Sequence, residues 1–391
     1  MKEFKIGLIG AWGRGQLAFS AHRPAEGIRI VAGADISDTA LERFKGRIGP
    51  EVAVYKDYRK MLQAEKLDAV FVTSPDFCHE EQAIAALNLK IPVYLEKPMA
   101  ITIKGCDRIL DAARKNRTKL FLGHNMRYMR FVHKMKEIID SGTIGEVKAI
   151  WCRHFVSYGG DAYFRDWHSE RKYTTSLLLQ KGAHDIDVIH WLAGAYTKRV
   201  TGFGNLSVYD KCKRRKASEK GCASFNAKHW PPLKQTGFSP KIDVEDQNMI
   251  LMQLDNGVQA TYLQCFFTPD SCRNYTIIGT KGRIENYGDF GDHCSIEVWN
   301  SRCDGSRLKG DKSYVFGRDM GGHGGADEKI VGGFIDYIRK GRTPYTSPIA
   351  SRYSVATGCM GAESIRSGGK PFDIPKLKPD IERYFSKLGM K

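Results

Sequence analysis

Short apolar segments alternate with amphipathic segments through the first third of the chain. The apolar segments predict buried strands at residues 4–9, 28–34, 67–72, 91–96 and 119–123. Between them, apolar positions recur at helical spacing over residues 39–47, 57–64, 79–89 and 103–115. This regular alternation predicts an α/β fold with a doubly wound parallel sheet of about six strands. We assign this first domain to residues 1–124.

The hydrophobic pattern changes in the second half of the chain, where apolar and polar residues alternate with a period of two. Residues 147–156 and 247–267 show this alternation, which predicts strands with one buried face. Asn256-Gly257 divides the second segment and predicts a hairpin turn. The chain of 391 residues is long enough for a second domain, which we assign to residues 125–391.

A glycine-rich turn follows the first predicted strand and leads into a predicted helix. The turn reads Gly10-Ala11-Trp12-Gly13-Arg14-Gly15. A dinucleotide suits this order, because the amino terminus of a helix presents free N–H groups and partial positive charge to the pyrophosphate. Trp12 stands where the usual G-x-G-x-x-G spacing has its second glycine. A glycine turn that binds no nucleotide therefore remains an alternative.

Asp35 follows the second predicted strand, 20 residues after Gly15. A carboxylate at this place accepts hydrogen bonds from both ribose hydroxyls and repels a 2′-phosphate. Ser37 stands where an arginine would bind that phosphate. The sequence therefore predicts NAD as the cofactor in preference to NADP.

Further polar residues follow the other predicted strands of the first domain. They are Ser74-Pro75-Asp76, Glu96-Lys97-Pro98 and His124-Asn125. The carboxyl ends of parallel strands meet at one edge of a sheet, and ligands bind there in doubly wound folds. We therefore expect these residues to lie near the cofactor.

Two segments of the second half carry candidate substrate residues. Gln180, His184 and Asp187 fall on one face of a helix that is predicted to begin near Leu179, so that Asp187 can orient His184 or contact a substrate hydroxyl. A buried histidine without a catalytic role is the alternative. Residues 161–171 are predicted to form a loop dense in aromatic and hydrogen-bonding side chains, which stack on sugar rings and bind hydroxyl groups. Ordinary loop packing is the alternative for each of them.

Several motifs, in order along essentially the whole chain, resemble the Gfo/Idh/MocA family of oxidoreductases. They are the Gly10 turn, Thr73-Ser74-Pro75-Asp76 with His79, Glu96-Lys97-Pro98, Gly123 to Tyr128, Gln180 to Asp187, Gly321 to Asp327 and Glu363-Ser364-Ile365. Two departures stand out. Gln180 replaces an acidic residue, and Thr175-Ser176 replaces a glycine pair. Glutamine binds a hydroxyl but cannot accept its proton, which shifts acid–base chemistry to other residues.

The resemblance implies a Rossmann domain followed by an α/β domain with a large open, mostly antiparallel sheet that commonly packs against another subunit. A homodimer or homotetramer is therefore expected. The resemblance also places Lys97 beside the nicotinamide and His184 near the substrate carbinol, and these two are the predicted catalytic residues. Cofactor binding is assigned to Gly10, Trp12, Gly13, Arg14, Gly15, Asp35, Ser74, Pro75, His79, Glu96, Lys97 and Asn125. Substrate binding is assigned to Lys97, Tyr163, Arg165, Trp167, Gln180, His184, Asp187 and His323.

The resemblance implies an NAD-dependent oxidoreductase that takes hydride from a secondary alcohol of a sugar, glycoside or cyclitol. Two alternatives stay open. One is a redox-neutral glycoside hydrolase or lyase that works through a transient keto-sugar and accumulates no NADH. The other is a catalytically silent sugar-binding protein, suggested by Trp12, Gln180 and Thr175-Ser176.

Composition and charge add limits on partners and compartment. The formal net charge is +17, and its densest run, residues 211–216, lies in a predicted excursion over residues 209–241 without a nucleic-acid-binding motif. A solvated loop is the favoured interpretation, and no nucleic acid is expected as a partner. No apolar run approaches the roughly 20 residues that span a bilayer, so no membrane association is expected. The ten cysteines show no zinc-like spacing, so no metal is expected, and free thiols predict a cytoplasmic protein.

Overall fold

The computed structural model describes residues 3–221, 224–289, 294–317 and 320–390. The chain forms two compact units, and each consists of segments that are distant in sequence. The first unit contains residues 1–128, 320–352 and 376–391, and the second contains residues 129–319 and 353–375. This division differs from the predicted one at residue 124, because two carboxyl-terminal segments join the first unit.

The first unit is built on a six-stranded parallel sheet, as predicted. Its strands are β1 (Phe4–Ile9), β2 (Ile28–Ala34), β3 (Ala53–Tyr55), β4 (Ala69–Val72), β5 (Val93–Leu95) and β6 (Leu120–Leu122). Their order is β3-β2-β1-β4-β5-β6. The order reverses between β1 and β4, and a crevice for ligands opens at such a point in doubly wound sheets. The three-residue strand β3 was not predicted, because it is too short to show a pattern.

Helices connect these strands and begin at residues whose side chains cap them. Ser37, Asp57 and Thr102 each accept a hydrogen bond from a backbone N–H of the first helical turn. The helices of the first unit are Gly13–Ala21, Pro24–Glu26, Asp38–Ile48, Tyr58–Ala64, Asp76–Cys78, His79–Asn88, Ile103–Asn116, Asn125–Tyr128, Ala326–Lys340 and Pro379–Lys387. Four of them, at 13–21, 24–26, 76–78 and 125–128, are 3-10 helices.

An aromatic cluster explains why a carboxyl-terminal helix belongs to the first unit. The ring of Phe334, in helix Ala326–Lys340, lies 5.0 Å from Phe71, 5.6 Å from Tyr94 and 5.5 Å from Phe121. These three residues stand on β4, β5 and β6, and all are fully buried. Helix Ala326–Lys340 therefore covers one face of the parallel sheet and buries a large apolar area.

The second unit contains a nine-stranded, mostly antiparallel sheet. Its strands are β7 (Val147–Phe155), β8 (Thr197–Asn205), β9 (Gln247–Leu254), β10 (Gln259–Cys265), β11 (Cys272–Gly279), β12 (Gly282–Tyr287), β13 (Cys294–Trp299), β14 (Lys312–Phe316) and β15 (Phe372–Asp373). Their order is β14-β13-β12-β11-β7-β10-β9-β8-β15. Among the described strands of this sheet, β7 and β10 form the only parallel pair. The predicted hairpin at Asn256-Gly257 joins β9 to β10, and Gly257 has the positive φ of +87° that favours glycine there.

The two faces of this sheet differ in cover. Helix Gly182–Ala193 packs on β7 and β10. On the opposite face, exposed apolar side chains follow neighbouring strands, with Trp151 on β7, Met249 and Leu251 on β9, and Phe203 on β8. Each is more than half exposed. The exposed face is therefore unusually apolar for a surface in contact with water.

Short helices and one long excursion complete the second unit. The remaining helices are Arg130–Asp140, Gly159–Tyr163, Trp167–Ser169, Arg171–Thr174, Leu177–Gln180 and Pro232–Lys234, together with helix Pro348–Arg366, whose residues up to 352 belong to the first unit. The predicted excursion over residues 209–241 packs on its own unit, since Tyr209 and Phe238 share a hydrophobic cluster with Phe164 and Phe266. The Tyr209 ring stacks on Phe164 at 4.0 Å. Within the described residues, no helix combines the length and apolar character that a bilayer crossing requires.

Candidate functional site

The glycine turn of the first unit is shaped by two glycines and leaves open space at a third. A Cβ atom on Gly10, which has φ of +83°, would lie 2.7 Å from the backbone nitrogen of Ser74. A Cβ atom on Gly15 would lie 2.0 Å from the carbonyl oxygen of Gly10. Gly13 also has a positive φ, of +60°, but nothing lies within 4 Å of its missing Cβ. The turn is therefore packed closely on the residues that follow β4, and there is open space at Gly13.

The helix that follows this turn offers its amino terminus to a ligand. It begins at Gly13 as a 3-10 helix, and no side chain caps its first N–H groups. The Gly15 N–H donates to the Trp12 carbonyl oxygen at 3.0 Å, and the N–H groups before it have no acceptor within a 3-10 helix, so they are available to an anionic group. The ring of Trp12 lies 6.0 Å from that of Phe19 and 5.8 Å from the guanidinium carbon of Arg43. The amino terminus thus suits a pyrophosphate even though Trp12 replaces the usual glycine.

Asp35 ties the turn after β2 to the glycine turn. Its Oδ2 accepts a hydrogen bond of 3.0 Å from the backbone N–H of Ala11. Its Oδ1 accepts one of 2.9 Å from the backbone N–H of Ser37. Each carboxylate oxygen has about two acceptor sites, so both retain one for a hydroxyl group. This arrangement suits the ribose role that the sequence predicts.

The Glu96-Lys97-Pro98 segment lies at the carboxyl end of β5, and hydrogen bonds at each of its two ends hold it in place. Buried Glu96 accepts hydrogen bonds from Arg14 Nε at 2.8 Å and from the Lys97 backbone N–H at 3.0 Å. The buried ring of His79 lies 2.8 Å from the Pro98 carbonyl oxygen and 2.9 Å from that of Ser74. The backbone of half-buried Lys97 is therefore fixed. Pro75, on the neighbouring loop after β4, is exposed.

Asp327 gathers three predicted site residues around one carboxylate, although the sequence did not single it out. It accepts hydrogen bonds from Arg14 Nη1 and Nη2 at 2.8 and 2.9 Å, and from Asn125 Nδ2 at 2.9 Å. His323 Nδ1 lies 2.9 Å from the same carboxylate. Burial raises the pKa of Asp327, but the hydrogen bonds and charges of His323 and Arg14 outweigh it and hold that pKa well below its usual value.

This cluster changes how two predicted residues are understood. Three of the five N–H donors of Arg14 bind Glu96 and Asp327. Arg14 therefore stabilises the glycine turn, in addition to any contact that it makes with the cofactor. His323, predicted as a substrate residue of the second domain, lies instead in the first unit. The Gly321 to Asp327 motif was the available sequence signal for this cluster.

In the second unit, the predicted helix around His184 is interrupted. Helix Leu177–Gln180 ends before Lys181, and helix Gly182–Ala193 follows. Ser176 begins the first of these helices, where its Oγ accepts a hydrogen bond of 3.0 Å from the Leu179 N–H. Gln180 therefore ends one helix, while His184 and Asp187 share a side of the next. All three are buried.

A buried polar network fixes the helix that carries His184. The Asp185 carboxylate accepts hydrogen bonds from Arg273 Nε at 2.8 Å, from the Tyr262 hydroxyl at 3.0 Å and from the Tyr275 hydroxyl. His154 Nδ1 lies 3.1 Å from it. Burial raises the pKa of Asp185, but the charges of Arg273 and His154 outweigh it and leave that pKa well below the usual value. Burial and Arg273 lower the pKa of His154 to about 3.

Lys181 and Tyr158 form a second polar pair that the sequence did not reveal. Lys181 Nζ donates a hydrogen bond of 2.9 Å to the Tyr158 hydroxyl, and it lies 5.3 and 5.9 Å from the ring centroids of Tyr158 and Tyr163. Burial raises the pKa of Tyr158, but the charge and hydrogen bond of Lys181 lower it overall. The pKa of Lys181 is raised, since burial opposes its charge less than the tyrosines favour it.

The segment 161–171 contains short helices in place of the predicted loop, and its aromatic residues share contacts. Trp167 stacks on His168 at 3.6 Å, and the Tyr163 ring lies 5.1 Å from the same imidazole. Arg165 is buried and points elsewhere, with Nε 3.1 Å from Asp161 and Nη1 2.7 Å from the Thr236 carbonyl oxygen. The structure thus brings Tyr163 and Trp167 together and places Arg165 against the excursion.

Two protein-family models match the chain in sequence. Residues 4–124 match the model described as an oxidoreductase family with an NAD-binding Rossmann fold. Residues 132–285 match the model of the GFO/IDH/MocA C-terminal domain. The two matches correspond to the parallel sheet of the first unit and to most of the large sheet of the second.

Known proteins show similarity over different extents of the chain. The putative oxidoreductase YteT of Bacillus subtilis is 26% identical over 370 residues, covering 82% of this chain and 83% of that relative. The inositol 2-dehydrogenase of Salmonella paratyphi B is 30% identical over 196 residues, covering 50% of this chain and 54% of that relative. The match to this dehydrogenase thus spans about half its length. Among solved structures, levoglucosan dehydrogenase in complex with NADH and levoglucosan has a TM-score of 0.77 at 18% identity, covering 96% of this chain and 100% of that one.

Proposed function

Because the chain belongs to the Gfo/Idh/MocA family of oxidoreductases, we propose that it transfers hydride from a secondary alcohol of a sugar, glycoside or cyclitol to NAD. The observation that carries this proposal is the fixed Glu96-Lys97-Pro98 segment, which lies at the carboxyl end of β5 in the sheet that carries the glycine turn. The names of two similar proteins support the substrate class, since inositol and levoglucosan both present secondary alcohols on a ring.

The residues of the first unit fit a dinucleotide. The uncapped helix amino terminus at Gly13 suits the pyrophosphate, and Asp35 suits the adenosine ribose. We assign further contacts to the loops after β4, β5 and β6, which carry Ser74 and Pro75, Lys97, and Asn125. NAD, when bound, supplies the acceptor for the hydride. His79, Glu96 and Arg14 support these loops through the hydrogen bonds described above.

Proton transfer is assigned to Lys97 and His184. Loss of hydride from a carbinol carbon requires that its hydroxyl proton leave, so a group that accepts or shares this proton must contact the oxygen. His184 is the proposed base, and Lys97 is the proposed donor that holds the oxygen and stabilises its developing negative charge. Gln180 binds a substrate hydroxyl without accepting its proton, and Asp187 contacts a hydroxyl or orients His184.

We place the protein in the cytoplasm, where its described cysteines, all free thiols, remain reduced.

The first experiment identifies the nucleotide and the substrate. The purified protein is denatured to release any bound nucleotide, and native protein is then incubated with NAD and a panel of sugars, cyclitols and glycosides. NADH formation is followed by absorbance alongside the masses of the products. Accumulation of NADH with a ketone product is the expected result. Glycoside cleavage without NADH contradicts the proposal and identifies the redox-neutral alternative, and absence of both nucleotide and turnover contradicts enzyme function.

Asp35→Ala is expected to weaken the preference for NAD over NADP. The substitution removes the ribose acceptor and the charge that repels a 2′-phosphate. We expect the ratio of kcat/KM values for the two cofactors to fall about tenfold, a loss that corresponds to about one charge-assisted hydrogen bond. Asp38→Ala, on the exposed start of the next helix, is the control. An unchanged ratio in Asp35→Ala removes the proposed ribose contact.

The exposed sheet face of the second unit supports a homo-oligomer. We propose that Trp151, Phe203, Met249 and Leu251 become covered by another copy of the chain, because their apolar surfaces gain free energy when removed from water. Leu251→Glu is expected to convert the assembly to a smaller species, as measured by light scattering after size-exclusion chromatography. Leu233→Glu, which makes the same change at an exposed leucine of the excursion, is the control. A wild-type protein that is monomeric at all concentrations contradicts the proposal.

A further inference from the structure

Two adjacent cavities lie in the second unit beneath the excursion. One has a volume of about 330 Å³ and the other of about 100 Å³, and both are lined by Ser157, Asp161 and Phe225. The larger volume falls within the range of small-molecule sites, roughly 300–1,000 Å³. The smaller cavity lies between the segment around helix Gly159–Tyr163 and residues 225–238, and the excursion contributes Phe225 to the lining of the larger one. The excursion therefore creates space for a ligand.

The polar lining of these cavities is fixed in place. The Asp161 carboxylate is buried and receives Arg165 Nε at 3.1 Å and the Asn226 backbone N–H at 3.0 Å, and it lies 2.6 Å from His229 Nδ1. With its proton on Nδ1, His229 donates to this carboxylate, and we assign this tautomer because the carboxylate only accepts; its other ring nitrogen is then available to a hydroxyl group. These contacts orient the hydrogen-bonding groups of the cavities, and Arg165 balances the charge of the Asp161 carboxylate.

Aromatic residues at the cavities are unusually exposed. Phe225, which lines both cavities, is 63% exposed, and Trp230, which lines the smaller one, is 43% exposed. Exposed aromatic rings beside fixed polar groups suit a ligand with an apolar C–H face and hydroxyl edges. A sugar ring has both features.

Tyr158 joins these cavities to the proposed substrate residues of the same unit. It lines the larger cavity, and its hydroxyl accepts the hydrogen bond from Lys181. Lys181 immediately precedes helix Gly182–Ala193, and His184 lies three residues farther along, about one helical turn. A ligand in the larger cavity therefore contacts Tyr158, and Tyr158 in turn contacts Lys181 at the start of the helix that carries His184.

We propose that the two cavities form a subsite for the second ring of a glycoside, so that the substrate of this chain is a glycoside and not a free monosaccharide. This inference rests on the proposed function and narrows its substrate class. Phe225 supplies the stacking surface, and Asp161 with His229 supplies the hydrogen bonds that orient the second ring. The excursion is the part of the chain that gives the site its preference for glycosides over free monosaccharides.

The test compares disaccharides and phenyl glycosides with their parent monosaccharides. Affinity is measured by tryptophan fluorescence and calorimetry with D-glucose, cellobiose and phenyl β-glucoside, and with D-galactose, lactose and phenyl β-galactoside. We expect at least one glycoside to bind about tenfold more tightly than its parent sugar, which corresponds to about 1.4 kcal/mol. Phe225→Ala removes most of this difference and leaves the affinity for the parent sugar unchanged. Leu233→Ala, an exposed apolar position of the excursion outside both cavities, keeps the difference.

The outcomes separate this inference from the proposed function. Equal affinity for every glycoside and its parent overturns the subsite, as does a loss in Phe225→Ala that affects both ligands equally. His229→Gln is a second probe, and it is expected to reduce glycoside affinity alone. A glycoside that binds with the expected preference but yields no NADH supports the subsite and contradicts the dehydrogenase. NADH formation with equal kcat/KM for sugars and glycosides supports the dehydrogenase and contradicts the subsite.

Discussion

Lys97→Ala and His184→Ala are each expected to lower the rate of hydride transfer by roughly 10²–10⁴-fold, the range for loss of a positioned acid–base group. Lys97 is half-buried and its backbone is fixed through Glu96, so the lysine side chain starts from a defined place. His184 is buried in the helix that Asp185 holds to the sheet. Each substitution therefore removes a functional group while its supporting residues remain.

Single-turnover rates under saturating NAD and substrate measure this effect on the chemical step. Lys104→Ala, an exposed lysine near Lys97 in sequence, is the matched control and should retain the wild-type rate. Urea unfolding curves establish that each variant is folded. Near-wild-type rates in a folded Lys97→Ala or His184→Ala protein remove that residue from the proposed chemistry.

Arg273→Met is expected to reduce the free energy of unfolding by about 3–5 kcal/mol, the usual cost of removing one partner of a buried ion pair. Arg273 is fully enclosed with Asp185, and its loss leaves that carboxylate buried with hydroxyl groups and His154 as neighbours. Because helix Gly182–Ala193 is held to β10 and β11 through this carboxylate, we also expect weaker substrate binding at His184.

Equilibrium unfolding in urea measures this loss, and Arg199→Met is its matched control. Arg199 pairs with Asp373, but both side chains are more than half exposed. Solvent screens such a pair, so the control should change the free energy of unfolding by less than about 1 kcal/mol. Equal effects of the two substitutions show that the Asp185 network does not stabilise the second unit.

Local patterns in the sequence predicted the parallel sheet of the first unit correctly. The strands that precede Asp35, Ser74 and Lys97 were predicted from short apolar runs, and the structure aligns their carboxyl ends in one parallel sheet. The hairpin at Asn256-Gly257 was predicted from the Asn-Gly pair between two segments in which apolar and polar residues alternate. Each depends on residues that are close in sequence, where backbone preference and side-chain alternation decide the conformation.

Other features depend on residues that approach only after folding. Arg14 and Asp327 are separated by 313 positions, and Arg273 and Asp185 by 88, so no local pattern signals either ion pair. No local pattern signals the packing of Phe334 on the parallel sheet either. This packing places residues 320–352 in the first unit. Lys181 looked like one residue of a continuous helix, yet the structure ends one helix before it and binds its side chain to Tyr158.

The fold class and the family were therefore predicted correctly, because they follow from short-range patterns, and the same patterns supplied the candidate residues for cofactor and substrate, which stay predictions. The tertiary structure alone decided which carboxylates hold Arg14 and Arg273, and where the excursion packs. Buried charges require partners within a few ångströms, and the chain supplies those partners from whichever segments the packed core brings together.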